Sequence, residues 1–408
     1  MSKERVLIGR PELMRQTNAR TILTLLKKRS PCSRAELARE TGMSAPTVGN
    51  VIAELTDFGL VEWLGEGVSG GGGGRRPENL RFKAEYGYLA GVHISAGSVQ
   101  FILTDLNGDV VEDRREPLRS NGSSPEDVVT LLHEQLKAIM KQHSLPWKKL
   151  LALTVGMGGI TNVDEGVVLS VNNLSSWRNV PLKEMLQRHF SCALHVENST
   201  NLAAEGERFR GAAQEEDSFI FVGVGSGVGA GIILNGQLIH GRSWSAGEIG
   251  YLRIPNVSGA NPALYEYGRL EQILGAQGIL KSWNAVQEKA GATRKVRKAS
   301  DVLDLAAEGN QEARKIARHR ARLLKDVVIN LSLTLNPALF VFGGEFGGHP
   351  MLLEPTIEML RESEVAAARI VPSGLGSSSV AWGAVATAMQ EAEKTMYRLP
   401  VNWPKQAG

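Results

Sequence analysis

The 408-residue sequence predicts an α/β protein in which an N-terminal winged helix-turn-helix precedes a duplicated α/β body with a central cleft. Three observations support this fold class. Residues 33–56 have the pattern of two short helices joined by a tight turn. From about residue 86, short apolar runs of strand length alternate with longer amphipathic stretches. The body also carries two similar hairpin signals, which indicate an internal repeat.

The segment 33–56 contains start and stop signals for both helices. Ser33 and Glu36 have capping-box spacing at the start of the first helix, and Gly42 permits the sharp turn that ends it. Ser44 can cap the second helix, and Pro46 fits its first turn, where no intrahelical N–H is needed. Four apolar residues recur at helical spacing on the face that we expect to pack inward: Val48, Val51, Ile52 and Leu55.

The opposite face of the second helix is a candidate DNA-reading surface. Ser44, Ala45, Thr47 and Asn50 lie near its N-terminus and are small or able to form hydrogen bonds. Such side chains can reach base edges in a major groove. An ordinary helical hairpin is the alternative for these residues taken alone.

The next segment has the pattern of a wing. Residues 60–64 and 79–82 predict two strands, and the glycine-rich run 69–74 predicts a flexible loop between them. Arg75 and Arg76 follow the glycines, and their guanidinium groups suit a narrow minor groove or a pair of phosphates. A solvated linker is the alternative interpretation of this pair.

Charge supports the division of the chain. Residues 1–86 contain 14 Lys and Arg against 10 Asp and Glu, whereas the whole chain has a net charge of only +3. A basic surplus in this segment is expected if the segment neutralises DNA phosphates. The margin is modest, so we expect dimerisation to double the contacts.

Length and composition place the chain among ordinary water-soluble proteins of two or three domains. The sequence shows no apolar signal segment and no uninterrupted apolar run of membrane-spanning length, so a cytoplasmic location without membrane association is expected. Cys32 and Cys192 are the two cysteines, too few for a disulfide framework or a cysteine-rich metal site within one chain.

The body from residue 86 predicts two hairpin-led α/β halves. Runs of strand length occur at 88–94, 150–155, 219–224 and 339–342, and amphipathic stretches at 126–142 and 311–335 lie between them. Asn107-Gly108 and Asn235-Gly236 are turn signals of matching hairpins. We therefore expect a duplicated fold whose cleft is a natural small-molecule site.

Residues 223–231 place a glycine at every second position across a predicted strand-turn-strand. Backbone without side chains allows N–H groups to approach a phosphate or a sugar ring closely. Close packing between strands is the alternative role of such glycines.

With these motifs the chain resembles the ROK family (repressors, open reading frames, kinases), and within it the transcriptional-regulator branch. The matching segments span nearly the whole chain: residues 14–20, GRRP at 74–77, DLNG at 105–108, NLSSW at 173–177, the glycine hairpin, and GEIG at 247–250. The resemblance implies an actin-like, ribonuclease-H-like sugar-kinase fold with a sugar in the cleft. It also implies oligomers built from the body, either a homodimer or a homotetramer.

The resemblance also implies domain limits. The winged helix-turn-helix is expected at 1–85 and the first lobe at 86–197, completed by a C-terminal helix at about 380–396. The second lobe is expected at 198–379, with effector binding and oligomerisation assigned to it.

The chain departs from the family kinases at their catalytic positions. His93 stands where the kinases have the Asp of an Asp-x-Gly-Gly-Thr phosphate loop, and the segment 93–97 keeps neither loop glycine. Asn198 keeps the Asn of the kinase Asn-Asp pair, but Ser199 replaces the Asp that removes the sugar proton. A serine hydroxyl cannot act as that base unaided at neutral pH. We therefore expect no catalytic residues, no cofactor and no kinase activity.

The family's structural zinc ligands are also replaced. The matching positions hold Tyr251, Pro262, Leu264 and Arg269 instead of one His and three Cys, so no metal is expected. The resemblance assigns a sugar contact to the same His position, which makes Tyr251 a candidate sugar contact. The remaining candidates carry the amides, carboxylates and bare backbone that suit a polyol: Gly159, Asn173, Asn198, Glu248 and Glu271.

These expectations combine into a sugar-responsive transcriptional repressor that binds a double-stranded DNA operator and senses a sugar in an inactive kinase cleft. Two alternatives remain open from the sequence. The chain could be a sugar kinase with residual activity, which needs a substitute base. It could also be a ligand-independent regulator controlled by a protein partner.

Overall fold

The computed structural model describes residues 11–66, 78–95, 97–118, 124–172, 174–255, 257, 259, 262–263, 266–291, 296–362 and 368–396. It confirms the α/β fold class with an N-terminal winged helix-turn-helix. The helices are α1 (Pro11–Arg29), α2 (Arg34–Thr41), α3 (Ala45–Asp57), α4 (Pro125–Gln142), α5 (Leu182–Gln187), α6 (Ser199–Arg210), α7 (Glu271–Leu274), α8 (Ala276–Lys289), α9 (Ala299–Ala307), α10 (Gln311–Leu335), α11 (Pro350–Arg361) and α12 (Ser379–Met396).

The strands lie in a three-stranded sheet, two five-stranded sheets and one small ribbon. They are β1 (Cys32–Ser33), β2 (Val61–Glu66), β3 (Glu78–Phe82), β4 (Tyr88–Ile94), β5 (Ser98–Asp105), β6 (Val110–Pro117), β7 (Leu150–Met157), β8 (Ile160–Asn162), β9 (Val167–Ser170), β10 (Ala193–Asn198), β11 (Phe219–Val224), β12 (Val228–Leu234), β13 (Gln237–Leu238), β14 (Leu339–Gly343) and β15 (Arg369–Pro372). None of the helices in these described ranges is both long and apolar enough to cross a bilayer.

The N-terminal head, residues 11–86, contains the predicted helix-turn-helix. Ser33 and Glu36 form a reciprocal capping box at the start of α2: the Ser33 hydroxyl accepts the Glu36 N–H at 3.2 Å, and the Ser33 N–H donates to the Glu36 carboxylate at 2.7 Å. Gly42 ends α2 at a φ of 69°, in the left-handed region that favours glycine. The wing strands β2 and β3 pair antiparallel, and β1 pairs with β3.

Helix α1 is an element that the sequence analysis did not predict. Its buried residues are Ala19, Ile22, Leu23 and Leu26, which have the spacing of one helical face. They belong to one apolar cluster with the inner face of α3. The signal was therefore present in the sequence, although the polar residues between these positions obscure it.

The two large sheets repeat one topology, which confirms the predicted duplication. In the first, the order is β10-β7-β4-β5-β6; in the second, it is β13-β12-β11-β14-β15. In each half the first three strands form an antiparallel meander. A fourth strand pairs in parallel with the first strand of the meander, and a fifth strand pairs in parallel with the fourth. Both predicted Asn-Gly turns are present, with Gly108 and Gly236 at φ values of 84° and 73°.

Helices α6 and α12 pack against each other at the junction of the two halves. Helix α12 lies on β4 and β7 of the first sheet, and α6 lies on β11 and β12 of the second. Their crossing has almost no room for side chains: a Cβ at Gly206 would overlap the Ser379 carbonyl oxygen, and one at Gly383 would overlap that of Leu202. The two lobes are thus joined by backbone contact between helices.

The C-terminal part of α12 contacts the head. The Lys27 ammonium lies 2.9 Å from the Glu393 carboxylate, and Ala388 and Ala392 belong to the apolar cluster of the head. Lys149 adds a hydrogen bond of 2.9 Å to the Glu85 carbonyl oxygen. Helix α12 therefore extends from the junction of the lobes to the DNA-reading part of the chain.

We predict that Gly383→Ala lowers the free energy of unfolding by about 1–3 kcal/mol, because the added methyl group must push two backbones apart. Urea unfolding followed by circular dichroism measures this change. Gly49→Ala is the matched control, since Gly49 is also helical but a Cβ there meets no atom within 4 Å. It should be neutral or stabilise by about 0.5–1 kcal/mol. Equal effects of both substitutions would contradict a tight crossing.

Candidate functional site: a DNA-reading helix and an inter-lobe cleft

Helix α3 presents the predicted DNA-reading face to solvent. Its four inner apolar residues are buried, whereas Ser44, Ala45 and Asn50 are exposed. The Ser44 hydroxyl caps the helix by accepting the Thr47 N–H at 3.3 Å, and it lies 2.8 Å from the half-buried Thr47 hydroxyl. Ala45 and Asn50 are therefore the free base-reading candidates of this surface, while Ser44 and Thr47 fix the helix start.

Three predicted site residues lie outside the described residues: Arg75 and Arg76 after the wing glycines, and Asn173 in the cleft. Their roles stay predictions from the sequence.

The structure brings Asn198 and Gly159 together. The Asn198 side chain caps α6 by accepting the Thr200 N–H at 2.6 Å, and its amide nitrogen donates to the Gly159 carbonyl oxygen at 2.7 Å. Gly159 has a φ of 101°, and a Cβ there would overlap the Ser170 carbonyl oxygen. This contact fixes a turn after β7 against the start of α6, at the carboxyl ends of neighbouring parallel strands.

Glu271 connects the two lobes. One carboxylate oxygen accepts the Val228 N–H at 3.0 Å, and the other accepts the Gly268 N–H at 3.1 Å and the Asn172 side-chain amide at 3.2 Å. Asn172 belongs to the first lobe, so this hydrogen bond spans the cleft. The sequence analysis selected the neighbouring Asn173 and missed Asn172.

Glu248 and Glu271 form an acidic pair whose members differ in hydrogen bonding. Burial, followed by repulsion from Glu271, raises the pKa of Glu248 to about 7. No side-chain partner of Glu248 occurs within the described ranges, so its oxygens are available to a ligand. Near neutral pH this group can therefore accept a hydrogen bond or donate one, which suits a sugar hydroxyl.

Tyr251 contacts its own loop. Its hydroxyl donates to the carbonyl oxygens of Ala263 and Glu266, and burial followed by repulsion from Glu271 raises its pKa. The tyrosine thus holds the segment in which the family places its zinc ligands. Its predicted sugar contact stays a prediction.

Glu197, two positions before Ser199 in the sequence, is hydrogen-bonded by protein groups at both carboxylate oxygens. Burial alone would raise the pKa of Glu197, but hydrogen bonds from His195, His240 and Asn201 lower it to about 2. Its Oε2 atom lies 2.7 Å from His240 Nε2, and its Oε1 accepts from the Asn201 amide at 3.0 Å. A carboxylate with this pKa is a weak proton acceptor at neutral pH.

The turn of the glycine hairpin also carries a protein carboxylate. The Ser226 N–H, at the tip between β11 and β12, donates to Glu345 Oε1 at 3.1 Å. This N–H, which could hold a phosphate, is thus occupied by a carboxylate side chain.

His93 lies on the opposite lobe. Burial and then the charge of Arg115 lower its pKa to about 4, so His93 is neutral at pH 7.

Comparison with known proteins agrees with this architecture. The winged helix-turn-helix DNA-binding family matches residues 15–62, and the ROK family matches residues 89–391. The xylose repressor of Bacillus subtilis is 28% identical over 380 residues, which cover 91% of this chain and 94% of the repressor.

Two crystal structures share the fold. A ROK family transcriptional regulator, a homologue of the Escherichia coli MLC protein, superimposes with a TM-score of 0.77 at 21% identity and covers 94% of this chain and 98% of its own. A ROK family glucokinase from Streptomyces griseus, in complex with glucose and AMPPNP, superimposes with a TM-score of 0.64 at 23% identity. The match covers 74% of this chain and 100% of the glucokinase.

The fold and the DNA-reading head together define a DNA-binding transcriptional regulator with a sugar-kinase-like body. The chain belongs to the ROK family, whose model covers most of its length.

We predict that Glu248→Gln removes a pH-dependent loss of stability. The folded-state pKa of about 7 exceeds the ordinary value of 4.5, so the stability associated with protonated Glu248 is present below about pH 4.5 and is lost as pH rises through 7. The variant should match the parent at pH 4.5 and exceed it at pH 8 by up to about 3 kcal/mol. Urea unfolding at both pH values measures this. A constant difference between the two proteins would contradict the raised pKa.

Proposed function

We propose that this regulator is a repressor whose operator affinity responds to a sugar bound between the lobes, and that the body has no kinase activity. The observation that carries the proposal is that two predicted sugar residues, Asn198 at the start of α6 and Glu271, lie beside the glycine hairpin. The hydroxyl of Thr200, two residues after Asn198, lies 3.0 Å from the point that a Cβ on Gly229 would occupy. Glu271 Oε1 lies 3.0 Å from the point that a Cβ on Gly227 would occupy.

The chemistry of these groups suits a neutral polyol. Glu248 offers a carboxyl group that titrates near neutral pH, Glu271 offers buried oxygens, and Asn198 with Gly159 offers a fixed turn. Hydroxyl groups can both donate and accept, so a mixed set of this kind can satisfy them. Gly229 and Gly231 of the hairpin let Thr200 and Ala204 of α6 approach its backbone closely, so the hairpin fixes the start of α6 beside these groups.

Three features support an inactive cleft. Ser199 replaces the catalytic Asp, Glu197 is engaged by two histidines and an amide, and Glu345 occupies an N–H of the glycine turn. A phosphoryl group entering this turn would meet a carboxylate instead of a free N–H, and phosphoryl transfer depends on compensation of such charge. A sensitive ATP-consumption assay with a sugar panel should therefore give no turnover.

The packing supplies a physical route from the cleft to the head. Helix α6 begins at the capping residue Asn198, contacts α12 at Gly206 and Gly383, and α12 reaches Lys27 of the head through Glu393. A sugar that prefers one arrangement of the lobes would shift α6 against α12 and so the position of the head. Such coupling requires only different affinities of the sugar for two states.

We further propose a homodimer or homotetramer assembled through residues 198–379, with heads at residues 1–85 that bind two operator half-sites in the cytoplasm. The first lobe would comprise residues 86–197 and α12. Two heads supply the phosphate contacts that the modest charge of one head does not.

We predict that Glu248→Ala weakens the effect of the sugar on operator binding at least about tenfold, because a hydrogen bond to a charged group is removed. Fluorescence anisotropy with labelled operator, titrated with xylose, glucose and N-acetylglucosamine, measures this response. Operator affinity without sugar should stay at the parent value, since Glu248 lies outside the head. An unchanged sugar response would contradict the assignment, and a parent that ignores every sugar would favour control by a protein partner.

We predict different effects for the two DNA-contacting sets. Asn50→Ala should reduce discrimination between the operator and mutated operators, because a base contact is lost. Arg75→Ala with Arg76→Ala should weaken binding to all sequences and flatten its salt dependence, because phosphate contacts are lost. Binding titrations at several salt concentrations measure both. A double arginine variant with the parent's affinity and salt slope would refute the wing assignment.

A further inference from the structure

A cavity of about 740 Å³ lies in the second lobe, between the start of α8, the middle of α10 and the segment that leads into α7. Its size is that of a small-molecule pocket. The ionisable residues of its lining are Glu266, Arg269, Glu271, Lys281, His319 and Arg320. Glu345, which occupies the glycine turn, is not part of this lining.

Arg320 is the notable group in this lining because it is a buried cation without an anionic partner. Only 5% of the residue is exposed, and burial lowers its pKa to about 10, so it remains charged at pH 7. Its Nη2 donates to the Gly278 carbonyl oxygen at 3.0 Å and to the Ser282 hydroxyl. Within the described part of the chain, no carboxylate pairs with it.

The other donors of Arg320 are poorly satisfied. Nη1 reaches His319 Nδ1 at a long 3.5 Å, and Nε is buried without an acceptor in the described residues. Taking a guanidinium out of water without a counter-charge is costly. An anion in the adjoining cavity would remove that cost.

Three further basic residues line the same cavity: Arg269, Lys281 and His319. All three are exposed, and neither Lys281 nor His319 forms an ion pair with a described carboxylate. Burial, followed by the charges of Arg320 and Arg322, lowers the pKa of His319, which is the effect expected where positive charge is uncompensated. Of the two acids in the lining, Glu271 already accepts three hydrogen bonds, and Glu266 is exposed.

We propose that this cavity binds a small phosphate-bearing molecule, with the phosphoryl group held by the charges of Arg320 and Lys281 and by a hydrogen bond from the neutral His319 imidazole. A dianion matches two converging cations better than a single carboxylate does, and the guanidinium fork fits phosphate oxygens. The site is separate from the neutral sugar chemistry around Glu248. Glu271 lines the cavity and also bonds Asn172 across the cleft, so an occupant would adjoin the contact between the lobes.

Inorganic phosphate and a phosphorylated sugar share this chemistry, and titration calorimetry in chloride buffer distinguishes them. The probes are inorganic phosphate and glucose 6-phosphate, with glucose as the uncharged control. The full-length parent should bind at least one phosphate probe saturably. Binding of inorganic phosphate as tight as that of glucose 6-phosphate identifies free phosphate as the ligand; tighter binding of glucose 6-phosphate identifies a phosphorylated sugar.

Lys281→Ala should weaken phosphate binding at least about tenfold, because an exposed charge contact to the ligand is lost. Arg318→Ala is the matched control, since Arg318 is an exposed cation of α10 outside the cavity lining, and it should bind as the parent does. Arg320→Met should abolish binding, with circular dichroism verifying the fold. No saturable binding to the folded parent, or equal losses in the Lys281 and Arg318 variants, would overturn the proposal.

The test is independent of the proposed sugar response. Lys281→Ala should keep the response of operator binding to a neutral sugar, because Lys281 lies outside the sugar residues. If the sugar response persists while phosphate fails to bind the parent, the anion site alone is refuted. If phosphate binds while no sugar acts on the operator, the sugar proposal alone is refuted.

Discussion

The arrangement of the body and the head depends on the backbone contact between α6 and α12. Gly206 and Gly383 allow the helices to approach until carbonyl oxygens lie where side chains would otherwise be. Packed interiors tolerate little overlap, so such a crossing transmits displacement instead of absorbing it. Because α6 starts at the cleft and α12 ends beside Lys27, this contact connects the proposed sugar residues mechanically to the DNA-reading head.

The cleft keeps the shape of a sugar kinase but uses its polar groups differently. Hydrogen bonds from His240 and Asn201 engage Glu197, and the carboxylate of Glu345 holds the glycine turn. Tyr251 ties Ala263 and Glu266 to the body through contacts with their carbonyl oxygens. These groups are committed to structure, whereas Glu248 retains free oxygens and a pKa near neutrality. This distribution of polar groups is the one that our proposal of a binding cleft requires.

Local signals in the sequence predicted most of the fold. Ser33, Gly42 and the Asn-Gly turns act within their own short segments of chain, so their roles could be predicted directly from the sequence. The cleft was harder to predict because its contacts join distant segments: Asn172 instead of Asn173 reaches Glu271, and Glu345 meets Ser226 from 119 residues away. The unpaired state of Arg320 is likewise invisible in sequence, since it depends on what α8 and α10 enclose.

In the proposed repressor, one sugar and one operator bind to coupled states of the same chain. The most direct measurement is the calorimetric affinity of the effective sugar for the free protein and for the protein saturated with operator DNA. Linkage requires the ratio of these two sugar affinities to equal the ratio of operator affinities without and with the sugar. We predict that both ratios differ from one and agree. A sugar affinity that is identical with and without operator would contradict the coupling between the cleft and the head.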